Sequence, residues 1–409
     1  MNILIIGNGF DLAHGLPTKY EHFLEYIDAF KRYKYLCQQE NAESIHDAAN
    51  IAGTKFIVHF ANLYKQNKRI FEEIDELVSN NIWINYFEEI YKKRKMITKD
   101  GWIDFECEIS RIIQTLDKAR HTILEEIKQG RKTGRMTQQQ LNILSPLWGK
   151  SVISRDSIQF NEDAIENEKV NFLTNLNKLT RCLEIYLYNY VENITPKVKL
   201  PYIDKLDIDC VLSFNYTHTY EKVYHTDKGK RIAYDYIHGE VKSHSTIEKC
   251  NLILGIDEYL DEYARDRENE FIQFKKFYQR IYKKTGCKYV DWKKIVEKIS
   301  PDNEENNATL LNNIYIVGHS LDITDKDILS SLINMVNTKT TIFYHSQEAL
   351  GNQISNLVKI LGEDELISKV HGSNASIVFK KQQKPVMTSH TKQGTYRDYF
   401  GPMKTRKPI

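Results

Sequence analysis

The chain has 409 residues, 41% of them hydrophobic and 27% charged, with a formal net charge of +2. That length exceeds the size at which one core usually stops growing, so we expect a main domain with a large insertion, or two domains. No apolar run reaches the length of a bilayer span, and the first apolar segment, entered after Asn2, has no basic n-region and no small-residue cleavage site. Together these predict a cytoplasmic protein with no membrane partner. The six cysteines are scattered without a Cys-x-x-Cys pair, which argues against a zinc ribbon or a disulfide framework. The small net charge conceals an asymmetry. Residues 380–409 hold eight Lys and Arg against Asp398 alone, leaving 49 basic and 54 acidic residues elsewhere. A basic excess confined to the tail argues against a body built for nucleic acid. The tail also carries three of the eight prolines and no apolar period, and is expected to be disordered or to lie on the surface.

In chain order, residues 3–6 are short, apolar and β-branched, which predicts a buried parallel strand. Gly7 and Gly9 end it, a turn that would let backbone approach a phosphate or simply join strand to helix. Tyr20, Phe23, Leu24, Ile27 and Phe30 then repeat at helical spacing. Helical periodicity persists through residues 56–64, 70–78, 84–91, 103–127 and 170–191, with a Gly- and Pro-containing loop expected at 131–157. Residues 41–195 therefore read as a helical insertion over the ligand edge of a sheet. Short strands are predicted at 210–214, 232–237, 252–254, 314–317, 340–344 and 376–379. Helices are predicted at 260–282, within a smaller excursion spanning 258–300, and at 325–336 and 347–361. The alternation predicts an α/β fold: a doubly wound, mostly parallel, Rossmann-like sheet formed by residues 1–40 and 196–379.

In such a sheet the ligand lies beyond the carboxyl ends of the strands, so the residues that follow each strand are the candidates. They are Gly7, Asn8, Gly9 and Asp11; Asn215 and Thr217; His238; Asp257; and Gly318, His319, Ser320 and Asp322. Small, amide, imidazole and hydroxyl groups dominate this set, where a random surface would place lysines and glutamates. The 13 histidines show no ligand spacing beside carboxylates, so no metal is expected.

The segments GNGFDLAHGLPTKYEHFL, SFNYTHTYE, IHGE, LILGIDE and YIVGHSLDITDKDIL, in that order, resemble the bacteriophage abortive-infection AbiH family from Met1 to about Phe379. More distantly, a glycine turn with Gly-Leu-Pro, a strand ending in Asn, a His-Gly and a Gly-x-Ser resemble sirtuin-like NAD-binding folds, including NAD-cleaving defence enzymes. The resemblance implies an antiphage protein that binds NAD or a related nucleotide and hydrolyses NAD between nicotinamide and ribose. NAD would be substrate or ligand, with no cofactor required; a phage-derived trigger is left unspecified and a homo-oligomer left open.

By the same resemblance, Asn215 and His238 are the catalytic pair. Gly7, Asn8, Gly9, Phe10, Asp11, Thr217, Asp257, Gly318, His319, Ser320 and Asp322 form the binding set. Thr217 stands where sirtuin-like proteins usually carry Asp, so that carboxylate is either missing or supplied by Asp11 or Asp257. The missing zinc-binding cysteine pairs argue against deacylation. Other readings stay open: Asn215 as a helix cap, His238 as a turn histidine, His14 or His319 as the base, and Glu106 either as a capping or solvated group or as an inward carboxylate reaching the site. A non-catalytic nucleotide or ADP-ribose sensor that signals to a partner is the alternative function.

Overall fold

In a computed structural model the chain is described over residues 1–38, 55–97, 103–148, 159–225, 229–243, 245–256, 270–299, 312–372 and 375–388. It divides into two compact units. The first comprises Met1–Thr18, Val191–Glu240 and Thr285–Ile409, and the second comprises Lys19–Tyr190 and Val241–Lys284.

The first unit is built on β-branched runs that pair in parallel. Its strands are β1 (Asn2–Ile6), β2 (Val198–Lys199), β3 (Cys210–Ser213), β4 (Ala233–Tyr236), β5 (Asn312–Val317), β6 (Thr338–Tyr344), β7 (Ile377–Lys381) and β8 (Val386–Met387). Six of them form an all-parallel sheet in the order β4-β3-β1-β5-β6-β7. Counting only these six in chain order, the arrangement is 3-2-1-4-5-6, that of a doubly wound dinucleotide-binding sheet. The order reverses at β1, which has β3 on one side and β5 on the other: Ile5 lies opposite both Leu212 and Ile316. Alternate side chains bury on opposite faces, as the two-residue period requires. Ile3, Ile5, Leu212, Ile314 and Ile316 pack with Leu329 and Leu332 of the helix Lys326–Ile333 on one face. Leu4, Ile6, Val211, Val317 and Phe343 pack with Phe10 on the other.

The second unit is helical. Its described helices are Tyr20–Gln38, Lys55–Gln66, Lys68–Val78, Ile82–Ile97, Phe105–Lys128, Gln138–Leu144, Glu162–Asn189 and Lys276–Lys283. Aromatic contacts fill its centre; Phe105 stacks on Phe87 at 3.9 Å and on Tyr20 at 4.1 Å between ring centroids. Asp104 and Asn161 cap the two longest helices by accepting from the N–H groups of Cys107 and Ala164. Among the described residues, no helix is long and apolar enough to cross a membrane.

Several sequence expectations need correction. Residues 252–254 form no strand and belong to the helical unit. They are buried, but Leu254 exchanges its backbone bonds with the Gln279 side-chain amide, because a run of three apolar residues is too short to enforce a ladder. The loop expected at 131–157 contains the helix Gln138–Leu144, started by a capping box between Thr137 and Gln140; residues 149–158 lie outside the described residues. Of the helix predicted at 260–282, residues 260–269 lie outside the described residues, and Lys276–Lys283 is helical. A further helix, Tyr289–Ile299, lies in the first unit. The helix from Tyr20 belongs to the helical unit, not to the sheet unit as drawn from the sequence. The tail does not leave the fold at residue 380. Lys380 and Lys381 end the edge strand β7, where charged side chains are tolerated, and β8 pairs antiparallel with β2. Residues 389–409 lie outside the described residues.

Candidate functional site

The candidate site is assembled at the carboxyl ends of β1, β3, β4 and β5, entirely within the first unit. The turns after β1 and β5 touch through backbone. Gly7 and Gly9 donate their N–H groups to the carbonyls of Val317 (3.2 Å) and Gly318 (2.8 Å), and Phe10 donates to Gly7 (2.8 Å). A Cβ on Gly9 would lie 2.9 Å from the Gly318 Cα, and one on Gly7 would lie 2.8 Å from the Gly318 oxygen. Gly318 has φ +66°, and a Cβ there would fall 2.5 Å from the Gly9 carbonyl carbon. The three glycines thus let two turns interlock, and three amides of the first turn are spent inside the chain.

The loop after β3 locks onto the same turn. Asn215 donates from Nδ2 to the Gly7 carbonyl at 3.0 Å, and Thr217 donates from Oγ1 to Asp11 Oδ2 at 2.5 Å. Asp11 is 1% exposed, and its Oδ1 has no partner within hydrogen-bonding distance among the described residues. Burial raises its carboxyl to about 6, against the lowering effect of the hydrogen bond from Thr217. Beside it, Glu192 accepts from the His218 N–H at 2.8 Å and pairs with Lys222. Burial would raise Glu192, yet the bonds from His218 and Lys222 hold it at about 2. Burial would likewise lower His218, yet Glu192 and Glu240 raise it to about 9. This pair is therefore charged at neutral pH.

A second cluster joins the ends of β4 and β5. His238 Nε2 lies 3.6 Å from Asp325 Oδ1, and His319 Nε2 lies 3.5 Å from Asp325 Oδ2. The Phe214 ring stands edge-on to both imidazoles, with centroids 5.6 Å from His238 and 4.3 Å from His319. The loop carrying His319 is tightly shaped. Leu321 sits at φ +59° and its N–H donates to His319 Nδ1 at 2.9 Å, while Gln353 donates to the His319 carbonyl at 3.2 Å.

The remaining candidates fall elsewhere in this scheme. Asn8 is exposed and accepts from Thr18, Phe10 is fully buried in the core, and Ser320 is exposed with its carbonyl held by Asn356. Asp322 caps a short 3-10 turn by accepting from the Thr324 N–H at 3.1 Å. Asp257 lies outside the described residues. Glu106 pairs with Lys276 at 2.6 Å within the helical unit. His14 is consumed structurally: Nδ1 lies 2.7 Å from the Phe10 carbonyl and Nε2 2.7 Å from the Tyr224 hydroxyl. Among the described residues, no group of three or more His, Cys, Asp or Glu is arranged to hold a metal ion. Sequence reasoning missed Asp325, Phe214, Glu192 and His218. Asp325 was read only as a helix start, and the two imidazoles it faces come from strand ends about 80 residues apart in sequence.

One family model, that of bacteriophage abortive infection AbiH, matches most of the chain. The chain belongs to the bacteriophage abortive infection AbiH family. The match runs over residues 3–346 and so includes all four strand ends of the candidate site. No curated relative and no solved structure matches the chain. Membership in AbiH supports a role in abortive infection by bacteria facing phage.

Proposed function

We propose that this AbiH family member acts in abortive infection by binding NAD or a related nucleotide at the strand ends and hydrolysing NAD at the bond between nicotinamide and ribose. The observation that carries this reading is the convergence at the point where the strand order reverses: Asn215 on the glycine turn, and His238 beside Asp325 and His319. In the reaction, the bond from C1′ to the pyridinium nitrogen breaks and its electron pair leaves with neutral nicotinamide. Water adds to C1′ through an oxocarbenium-like state, and its proton passes to a base. No strong acid is needed at the leaving group, so positioning and one proton acceptor suffice. Asn215 would hold the ribose and His238 would take the proton.

The test is nicotinamide release from NAD by the purified full chain, alone and with phage lysate fractions, for the parent, Asn215→Ala and His238→Ala. Turnover that disappears in both variants supports the assignment. Absence of turnover under every condition, or turnover unchanged in the variants, overturns it.

One feature favours the sensor reading. The carboxylate expected near the ribose is replaced by Thr217, and one of the two candidate substitutes, Asp11, is buried and bonded to that same hydroxyl. Calorimetric binding of ADP-ribose or NAD without nicotinamide release would put the sensor in place of the hydrolase.

A further inference from the structure

Besides His218, whose ring Glu192 and Glu240 hold in its charged form, three imidazoles stand at or near the candidate strand ends, and their contacts differ in what they leave available. At His14, the Leu200 N–H donates to the Tyr224 oxygen at 2.7 Å, so the Tyr224 hydroxyl proton points to His14 Nε2, and His14 Nδ1–H donates to the Phe10 carbonyl. Both nitrogens are used, the ring is 2% exposed, and burial lowers it to about 4. At His319, the Leu321 N–H donates to Nδ1, which places the neutral ring's proton on Nε2, the atom facing Asp325 Oδ2. No lone pair remains there either. At His238, Nε2 faces Asp325 Oδ1, and Nδ1 has no partner among the described residues.

Asp325 has the position of a helix N-cap at the start of Lys326–Ile333, but its side chain makes no capping bond. The carboxylate instead spans two imidazoles, and Phe214 sets both rings edge-on around it.

We infer that Asp325 is a positioning residue: its carboxylate faces His238 Nε2 across 3.6 Å, favours the proton on that nitrogen, and leaves His238 Nδ1 as the proton-accepting atom of the strand-end site. The inference rests on the hydrolase reading for its functional meaning, but its geometry can be tested without turnover. In the step it serves, the bond from ribose C1′ to nicotinamide breaks with its electron pair leaving on nicotinamide, and a water O–H bond breaks as the water oxygen bonds to C1′. The proton moves to Nδ1, and the imidazolium charge is balanced by Asp325 on the far side of the ring. His319 in this scheme donates to the same carboxylate and steadies it; it is not an alternative base.

The experiment is long-range 1H–15N correlation on the full chain labelled at histidine nitrogens, which reads the tautomer of each ring. The parent should show His238 as Nε2–H and His319 as Nε2–H. Asp325→Asn should move His238 toward a tautomer mixture, while His319, still held by the Leu321 N–H, keeps its proton on Nε2. If Asp325→Asn does not fold, Asp325→Ser, which offers a good helix cap, is read in the same way. A parent with the His238 proton on Nδ1, or a His238 tautomer unchanged in the folded variant, overturns the inference. Where the parent turns over NAD, either variant should lower kcat by about 10²- to 10⁴-fold with KM nearly unchanged. A chain that shows the expected tautomers without turning over NAD would refute the hydrolase reading and leave the positioning role standing.

Discussion

Replacing Gly318 with Ala should be among the most damaging single-methyl changes in the sheet unit. The residue sits at φ +66°, where an L side chain costs about 1–2 kcal/mol. Its new Cβ would overlap the Phe10 nitrogen and lie 2.5 Å from the Gly9 carbonyl carbon, and both are backbone atoms that no rotamer change can move. Overpacking of that kind costs about 1–3 kcal/mol, so the total loss is about 2–5 kcal/mol. Gly9→Ala separates the two effects, since it meets the same contact from the other side at 2.9 Å without positive φ and should lose less. Gly351→Ala is the control of opposite sign. It lies exposed inside the helix Gln347–Leu361 with nothing within 4 Å, and alanine there should stabilise by about 0.5–1 kcal/mol. Urea unfolding followed by circular dichroism measures all three. A Gly318→Ala variant within about 0.5 kcal/mol of the parent would refute the interlocked-turn account and reopen the glycine turns as ligand-facing.

Other expectations follow from the charged groups. Asp11 is raised from 3.8 to about 6 by burial, so folding favours its neutral form; the stabilisation is full below about pH 4 and is lost as pH rises through 6. At about 1.4 kcal/mol per pH unit this amounts to about 3 kcal/mol, and Asp11→Asn should flatten that part of the pH-stability curve between pH 4 and 7. His218 is raised to about 9 because Glu192 and Glu240 outweigh its burial, so its contribution is full below about pH 6.5 and fades as pH rises through 9. His218→Ala should therefore destabilise at pH 6, with the difference from the parent shrinking above pH 9 in matched urea titrations. In the helical unit, Arg181 is 4% exposed between Glu73 at 2.7 Å and Glu184 at 2.6 Å. Arg181→Ala leaves Glu184 buried and uncompensated and should cost about 3–5 kcal/mol by thermal or urea denaturation. A loss below about 1 kcal/mol would show that the pair is solvated in solution.

Local sequence carries the elements because local physics forms them. The runs at 3–6, 210–213 and 314–317 are too short and β-branched to be helices, and Tyr20, Phe23, Leu24 and Ile27 repeat at a period that only a helix satisfies. Asn215 and His238 were legible as candidates because a parallel sheet gathers whatever follows its strands at one edge. The partners of these residues were not legible. Glycine at 7 and 9 reads equally as a phosphate turn or as a plain junction of strand and helix, and only the juxtaposition with the turn at Gly318 decides for backbone against backbone in this chain. Asp11 reads as a ribose carboxylate until Thr217, about 200 residues away, is found bonded to it in a buried site.

The sequence by itself thus determined the α/β alternation and a polar rim at the strand ends, since periodicity and strand boundaries are set within a few residues. Tertiary structure alone decided which rim groups meet. Asp325 stands between His238 and His319 only because β1 is flanked by β3 and β5, with β4 beyond β3. That order depends on long-range pairing, and no local pattern encodes it.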